Sequence, residues 1–302
     1  MNHERSAPTS SRVWPVFGVL AASALFGTTG TALAQVSSDV DPLGAGVLRL
    51  LIGGIGLACL SVSDLATLRR HPRVVLAGCI GVAVYQLAFF WSTRSTGVAM
   101  ASVVTIGTSP IASFIIGIWR GRPRPSPSWF VAAIVIIVGL TILVTGGYES
   151  IDVVPRGVLA AILAGTAYAA YTESASILVG RNMKGTTVMA GLFLGAGILT
   201  APALVWTGVD MLTTGRGVVV LLYLALITLT LAYVAFGWSL GHLPPTTVVM
   251  LTLLEPVVAA VLSVLVLHQT LSAAGWIGAA IVCGGMFLAG TSARVDRTTV
   301  SA

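Results

Sequence analysis

Apolar residues along the chain fall into ten long stretches that short polar segments separate. Each stretch is close to the roughly 20 residues that a helix needs to cross about 30 Å of hydrocarbon. Because backbone groups in lipid must bond within their own segment, helices are the expected structure. The pattern predicts an all-α integral membrane protein with ten transmembrane helices. The stretches lie at residues 14–35, 43–63, 74–93, 98–118, 129–146, 156–178, 186–207, 217–239, 246–267 and 274–291.

The composition excludes a water-soluble protein. Of 302 residues, 56% are hydrophobic and only 9% are charged, whereas a soluble domain carries about 25% charged residues. The net charge of +6 does not indicate a nucleic-acid partner, because the arginines are scattered over short loops rather than clustered in one patch. The three cysteines lie singly within apolar stretches, so neither a disulfide nor a metal site is expected. Membrane lipid is the expected surrounding.

The loops predict the orientation in the membrane. Taken alternately, one set of loops and termini holds twelve basic residues and the other set holds three. The positive-inside rule then places both termini in the cytoplasm of a multi-pass protein of the bacterial plasma (inner) membrane. The richer set is Arg5, Arg12, Arg69, Arg70, Arg73, Arg120, Arg122, Arg124, Arg181, Lys184, Arg294 and Arg297. The poorer set is Arg94, Arg156 and Arg216.

The N-terminal segment allows two interpretations. A basic start, an apolar run and the sequence ALAQ at 32–35 resemble a signal peptide with cleavage after Ala34. The run from Trp14 to Ala34 is also long enough to span a bilayer. Since cleavage would leave an odd number of helices and would break the repeat described next, an uncleaved first helix is expected.

The chain repeats itself. Residues 89–119 resemble residues 235–267, and three pairs of matched positions are 146 or 147 residues apart. We therefore expect two five-helix units at 14–146 and 156–291. Because five is odd, the second unit enters the membrane from the other side, which is a recurring plan of secondary transporters. The matched pairs are Trp91 and Trp238, Pro110 and Pro256, and Trp129 and Trp276.

The segment LLEPVVAAVLSVLVLHQTLSAAGWIGAAIVCGGMFLAG at 253–290 resembles the end of the second repeat in EamA-type carriers of the drug/metabolite transporter superfamily. Residues 24–32, 49–60 and 85–113 are similar to earlier helices of the same family. The resemblance implies ten helices, cytoplasmic termini and a cavity between the two halves. It also implies secondary transport: export or exchange of small metabolites, with amino acids as the leading substrate class, and no cofactor.

Other functions have less support from the sequence. Small four-helix relatives that expel cationic drugs use a glutamate in the first helix, where this chain has Thr28, Thr29 and Thr31. The resemblance therefore does not support proton-for-cation exchange by that route, and a multidrug or cation exporter is kept only as the alternative function. An enzyme is not expected, since the sequence has no HExxH motif and no clustered aspartates. No GxxxxGK(S/T) loop is present either, so nothing in the sequence suggests that ATP drives the protein. A channel or lipid-handling protein is a further alternative. A pore would usually show rings of charge or a filter-like loop, and neither is visible in the sequence.

Glu255 and Pro256 are the strongest candidates for function. A charged side chain in the middle of a membrane helix costs about 2.5–3.5 kcal/mol, so Glu255 should face the bundle interior and have a partner. Pro256 cannot bond the carbonyl of Thr252, and water or neighbouring groups should satisfy it. Together they predict a kink beside a cavity, where Glu255 contacts substrate or a coupling proton, or else fixes helix packing. Pro110 predicts a matching kink in the fourth helix.

Further candidates are polar residues in other helices. Tyr85, Gln86, Tyr171 and Thr28 are predicted to contact substrate, because such cavities combine apolar walls with a few polar groups. Glu173 is a candidate for a gate or for coupling, with a structural pairing to Arg181 or a position at the membrane interface as the alternatives.

Arg49 is a second candidate for a gate or for coupling. The alternatives for this residue are snorkelling to the interface or bonding between helices. No catalytic residue is predicted, and monomer and homo-oligomer both remain open.

Small residues are predicted to let helix backbones approach closely. The glycines concerned are Gly27, Gly30, Gly53, Gly56, Gly275, Gly278, Gly284 and Gly285.

Overall fold

A computed structural model of the protein describes residues 13–36, 40–122, 126–146, 154–268 and 270–295. Within these residues all regular structure is helical, which confirms the predicted all-α class. Arg5, Arg12, Arg124 and Arg297, which entered the charge count, lie outside them. The helical segments are α1 (Val13–Leu33), α2 (Pro42–Cys59), α3 (Pro72–Thr96), α4 (Met100–Trp119), α5 (Pro127–Thr145), α6 (Pro155–Gly180), α7 (Gly185–Thr207), α8 (Gly215–Leu240), α9 (Pro245–Leu265) and α10 (Ala273–Val295).

Eight of these segments, all but α6 and α10, are long and apolar enough to cross a membrane. Helix α6 has 26 residues, and the apolar part of α10 spans Ala273–Leu288. Large apolar side chains cover the outside of the bundle: Ile134 on α5 and Leu159 on α6 are 62% and 67% exposed. In water such a surface would drive aggregation, whereas in a bilayer it contacts lipid.

Several helices begin at a proline. Pro42, Pro72, Pro127, Pro155 and Pro245 each occupy the first position of a helix. Proline suits that position because its φ angle is already helical and the first N–H groups of a helix have no partner within it. At α2 the carboxylate of Asp41 also accepts a hydrogen bond of 2.8 Å from the backbone nitrogen of Leu43, which caps the helix.

The chain reverses direction between α3 and α4. Both halves pack on α6, α3 antiparallel to it and α4 parallel to it. The two spans that the sequence predicts here are therefore present as an antiparallel pair. The contacts are Gly81 with Tyr171 and Thr96 with Gly157 for α3, and Thr105 with Ala161 and Thr108 with Gly165 for α4.

Helix α1 packs into the centre of the bundle. The hydroxyl of Ser23 donates a hydrogen bond of 3.2 Å to the carbonyl of Leu251 in α9. The ring of Phe26 lies 4.9 Å from that of Tyr233 in α8. A Cβ atom at Gly27 would lie 2.7 Å from the carbonyl oxygen of Glu255. A larger residue at position 27 would therefore separate α1 from α9 at this glutamate.

Two pairs of helices pack antiparallel with backbones in close approach. Helix α2 packs on α7, and α5 packs on α10. In each pair the contact positions increase along one helix as they decrease along the other. The close approaches are Gly54 with Leu194 and Gly197 with Leu51 in the first pair, and Gly139 with Val282 and Gly146 with Gly275 in the second.

Most of the glycines singled out from the sequence lie at such contacts. A Cβ atom would come within 3 Å of a neighbouring residue at Gly27, Gly53, Gly56, Gly275, Gly278 and Gly285. The prediction is wrong at Gly30 and Gly284, where no neighbouring heavy atom lies within 4 Å. Both positions face open space on the side of the helix that carries no packing partner.

The contact of α5 with α10 gives a direct test. A Cβ atom at Gly139 would lie 2.8 Å from the backbone nitrogen of Val282 and 2.9 Å from the carbonyl oxygen of Gly278. Because backbone atoms cannot rotate away, Gly139→Ala should lower the free energy of unfolding by about 1–3 kcal/mol. Unfolding of the purified protein in mixed micelles measures this. Gly284→Ala, the same change in open space, should be neutral or stabilising by up to about 1 kcal/mol; equal effects would contradict the packing.

Candidate functional site

The ninth helix is interrupted at the glutamate–proline pair. It consists of Pro245–Leu251, a 3₁₀ turn at Thr252–Leu254 and a second α-helical part at Glu255–Leu265. Pro256 cannot bond the carbonyl of Thr252, but the backbone N–H of Glu255 donates to that carbonyl instead. The chain thus satisfies this carbonyl by tightening one turn, so that the neighbouring group expected to bond it is the N–H of Glu255. Glu255 directly follows the tightened turn.

A cavity lies beside this turn, between α3, α4, α6 and α9. Its volume of about 40 Å³ is room for a few water molecules, since one water needs about 10–15 Å³, and α1 and α8 contribute no lining residue. A bound metabolite would need the helices to move apart. The lining residues are Tyr85, Phe89, Ser102, Thr105, Ile106, Ser109, Tyr168, Val249, Thr252, Leu253 and Glu255.

The carboxylate of Glu255 faces the cavity without a direct partner. In the described part of the chain it forms no ion pair and no hydrogen bond, and its side chain is half-buried. The charge of Arg49 acts on it electrostatically without an ion pair between them. The expected partner is therefore missing, and the cost of placing this group in the membrane is not offset by a structural bond.

Three hydroxyl groups of the cavity donate their protons to backbone carbonyls. Thr105 donates to Ala161 at 3.2 Å, Ser109 to the carbonyl of Thr105 at 2.7 Å, and Thr252 to Val249 at 2.7 Å. Each hydroxyl has one proton and two lone pairs. What remains on these oxygen atoms for a ligand is therefore hydrogen-bond accepting capacity.

Tyrosine rings form one wall of the cavity. The rings of Tyr85 and Tyr168 lie 5.5 Å apart, and the hydroxyl of Tyr168 donates to Thr252 at 3.2 Å. Tyr171 lies behind this wall, fully buried, and its hydroxyl is 3.0 Å from that of Tyr233. Of the two tyrosines predicted to contact substrate, Tyr85 lines the cavity, and Tyr171 supports the wall through its ring contacts with Tyr85 and Tyr168.

The other two predicted contact residues lie outside the cavity. Thr28 accepts a hydrogen bond of 2.9 Å from the hydroxyl of Tyr223 in α8. Gln86 is buried against Gly46 of α2, and its amide nitrogen has no hydrogen-bond partner in the described part of the protein. Neither Thr28 nor Gln86 is among the residues that line the space beside Glu255.

Arg49 bonds two helices. Its Nε atom donates to the carbonyl of Leu224 at 3.2 Å and its Nη2 atom donates to that of Thr228 at 2.9 Å. Both carbonyls belong to a π-helical stretch, Tyr223–Leu231, in the middle of α8. The wider π turn disturbs the usual i to i−4 ladder, and the guanidinium supplies additional donors there. Bonding between helices, one of the alternatives raised for Arg49, is what the structure shows.

Glu173 forms a buried ion cluster at the other end of the cavity walls. Its Oε1 atom lies 2.9 Å from Nε of Arg120 and 2.8 Å from Nη2 of Arg122, and Oε2 accepts from Nη1 of Arg122 at 2.8 Å. The pairing with Arg181 is wrong: Arg181 bonds the ring of His71 at 2.7 Å. The turn after α4, with Gly121 at a φ of +71°, brings the two arginines back over α6.

Sequence reasoning missed the polar residues of α4. Ser102, Thr105 and Ser109 are three and four residues apart, so they share one face of a helix. That spacing was visible in the sequence and marks the side of α4 that faces the cavity. Tyr168, three residues before Tyr171, lines the cavity and Tyr171 does not. Tyr168 is therefore the better candidate of the two for direct contact with a ligand.

Comparison with known proteins decides the family. The model of the EamA-like transporter family matches residues 13–145 and 155–291. The chain belongs to the EamA-like transporter family. This confirms the resemblance seen in the sequence. The chain is thus a multi-pass membrane transporter with a small-molecule substrate.

Individual relatives agree with this membership. The uncharacterized transporter YwfM of Bacillus subtilis is 30% identical over 286 residues, 94% of this chain and 96% of that protein. The aromatic amino acid exporter YddG of Salmonella typhimurium is 25% identical over 301 residues, 91% of this chain and 96% of that protein. The crystal structure of another protein superimposes on this chain with a TM-score of 0.80 at 20% identity, and the match covers 94% of this chain and 98% of that one. This last match shows the fold alone.

The two membrane-embedded glutamates of the site should respond in opposite ways to the same substitution. Glu173→Gln leaves two arginines without their carboxylate, and should lower the free energy of unfolding by about 1–2 kcal/mol. This is less than the ~3–5 kcal/mol of a fully buried pair, because the side chains of Arg120 and Arg122 are 42% and 32% exposed. Glu255→Gln removes an unpaired charge and should leave stability unchanged or raise it.

Thermal unfolding of both purified variants beside the parent protein measures the difference. A loss of stability in Glu255→Gln as large as that in Glu173→Gln would show that Glu255 has a structural partner.

Proposed function

We propose that the protein is a secondary carrier that exports or exchanges small metabolites, amino acids in the first place, by alternating access. The observation that carries the proposal is the carboxylate of Glu255, which faces a cavity without an ion-pair partner inside a membrane transporter. An unpaired charge in a membrane helix is costly, and such residues mark substrate or ion pathways. The aromatic amino acid exporter among the relatives supports amino acids as the substrate class.

We further propose ten spans in two inverted five-helix units, 14–146 and 156–291. Helices α2 and α7 hold equivalent places in the two units, and so do α5 and α10. In an inverted repeat, equivalent helices run in opposite directions, and both pairs pack antiparallel. The two separate matches of the family model support the same division.

The orientation follows the charge distribution. With twelve basic residues in one set of loops and three in the other, we place both termini in the cytoplasm and the protein in the bacterial plasma membrane. Glu173 and its two arginines then lie at the cytoplasmic end of α4 and α6, both of which line the cavity. The cluster ties these two walls together, and in our proposal it closes the cytoplasmic entrance.

Transport needs the closed cavity to widen. A volume of about 40 Å³ is far below the about 300 Å³ of a small ligand site, so the cavity must expand before it can hold a metabolite. Arg49, which holds α2 on α8, serves in this account to keep these helices together while the cavity opens. Neither ATP nor a cofactor takes part.

The test is uptake of a panel of labelled amino acids by proteoliposomes that contain the purified protein, with and without a pH gradient. We expect saturable uptake of at least one amino acid, competed by the unlabelled compound, and none in protein-free liposomes. A response to the gradient would show coupling to protons. Flux that rises linearly with concentration would indicate a channel, and absence of uptake for the whole panel would refute amino-acid transport.

A further inference from the structure

We infer that the cavity beside Glu255 recognises its ligand by a protonated amino group, and that a carboxylate on the ligand is not required for binding. The inference rests on the proposed function and gives the site its chemical selectivity. It states that the site recognises the amino group of an amino acid and not its carboxylate, whereas the proposed function does not distinguish the two groups. It also brings amines without a carboxylate within the range of ligands.

The first argument is the balance of donors and acceptors. Thr105, Ser109 and Thr252 use their protons on backbone carbonyls, and Tyr168 uses its proton on Thr252. Glu255 adds two carboxylate oxygens. An ammonium group has three donors and no acceptor, whereas a carboxylate has acceptors alone. These groups therefore match the ammonium group. What the lining offers to a carboxylate is the hydroxyls of Ser102 and Tyr85, which have no acceptor in the described part of the protein.

The second argument is charge. Among the described residues that line the cavity, Glu255 is the one that carries a charge. Arg49 is absent from the lining, and its Nε and Nη2 atoms are engaged with the carbonyls of Leu224 and Thr228. A ligand carboxylate would thus meet a negative group in the lining, while the positive charge of Arg49 acts only from outside the lining.

The third argument is the aromatic wall. Tyr85, Phe89 and Tyr168 line the same cavity as Glu255, and the faces of such rings attract cations, more strongly where water is excluded. An ammonium group held between this carboxylate and these rings would be stabilised from both sides. The rings also suit an apolar or aromatic body on the ligand.

The test compares five ligands that share one phenyl group. They are phenethylamine, phenylalanine, phenylalaninamide, N-acetylphenylalanine and 3-phenylpropionate. Their dissociation constants for the purified full-length protein are measured from the shift in its unfolding temperature with ligand concentration. We expect the first three to bind and the two without an ammonium group to bind at least about tenfold more weakly, since a hydrogen bond to a charged group is lost.

Two variants show which residue is responsible. Glu255→Gln should weaken binding of phenethylamine at least about tenfold. Asp210→Asn makes the same acid-to-amide change at an exposed loop position and should bind as the parent protein does. Because Asp210→Asn is measured in the same detergent, it also controls for any effect of the amine on the detergent. Exchange of labelled for unlabelled phenylalanine across liposomes, which needs no proton gradient, should fail in Glu255→Gln.

Three results would overturn the inference: no stabilisation by phenethylamine, equal binding of the N-acetylated compound, or unchanged binding by Glu255→Gln. Retained exchange in that variant would assign Glu255 to proton coupling instead. In each case saturable uptake from the amino-acid panel would leave the proposed transport function intact. If phenethylamine binds as expected but no amino acid of the panel is taken up, amino-acid transport is refuted and recognition of the ammonium group is retained.

Discussion

The structure depends on one constraint: a backbone carbonyl inside the membrane must find a donor within the protein, because water is not available. Three irregular places in the bundle show how this is met. At Pro256 the N–H of Glu255 reaches the carbonyl of Thr252. In the π-helical part of α8 the guanidinium of Arg49 supplies donors. Along α4, hydroxyl groups bond carbonyls of their own and the neighbouring helix.

The same constraint determines the chemistry of the cavity. Hydroxyl protons that satisfy backbone carbonyls are no longer available to a ligand, so Thr105 and Ser109 present lone pairs. The tightened turn of α9 ends at Glu255, and this residue brings the charge to that acceptor-rich surface. In our proposal, the interruption of the helix and the selectivity of the site thus have one origin. The adjacency of Glu255 and Pro256 in the sequence is explained by this arrangement.

Much of the fold was predictable from the sequence, because a membrane span is a local property of about 20 residues. The apolar spans followed from residues close together in the chain. The ion pairs of Glu173 were not predictable, because Arg120 and Arg122 reach it through a turn whose direction depends on tertiary packing.

The candidate site was only partly predictable. Tyr85 was placed in the cavity, but Gln86 and Thr28 point to other helices, since depth along a helix does not give the direction of a side chain. The polar face formed by Ser102, Thr105 and Ser109 is visible in the sequence as a helical spacing, but such a spacing does not by itself distinguish a cavity from helix packing, which hydroxyl residues also serve in membranes.

The central claim is that the carboxyl group of Glu255 is open to the cavity and that a ligand amine occupies it. Dicyclohexylcarbodiimide, an apolar reagent that reacts with protonated carboxyl groups in membranes, tests this directly when labelled sites are identified by mass spectrometry. The account predicts labelling of Glu255, slowed by phenethylamine but not by 3-phenylpropionate, and no labelling of Glu173 within its arginine cluster. Equal labelling of both glutamates, or labelling of Glu255 that phenethylamine leaves unchanged, would contradict it.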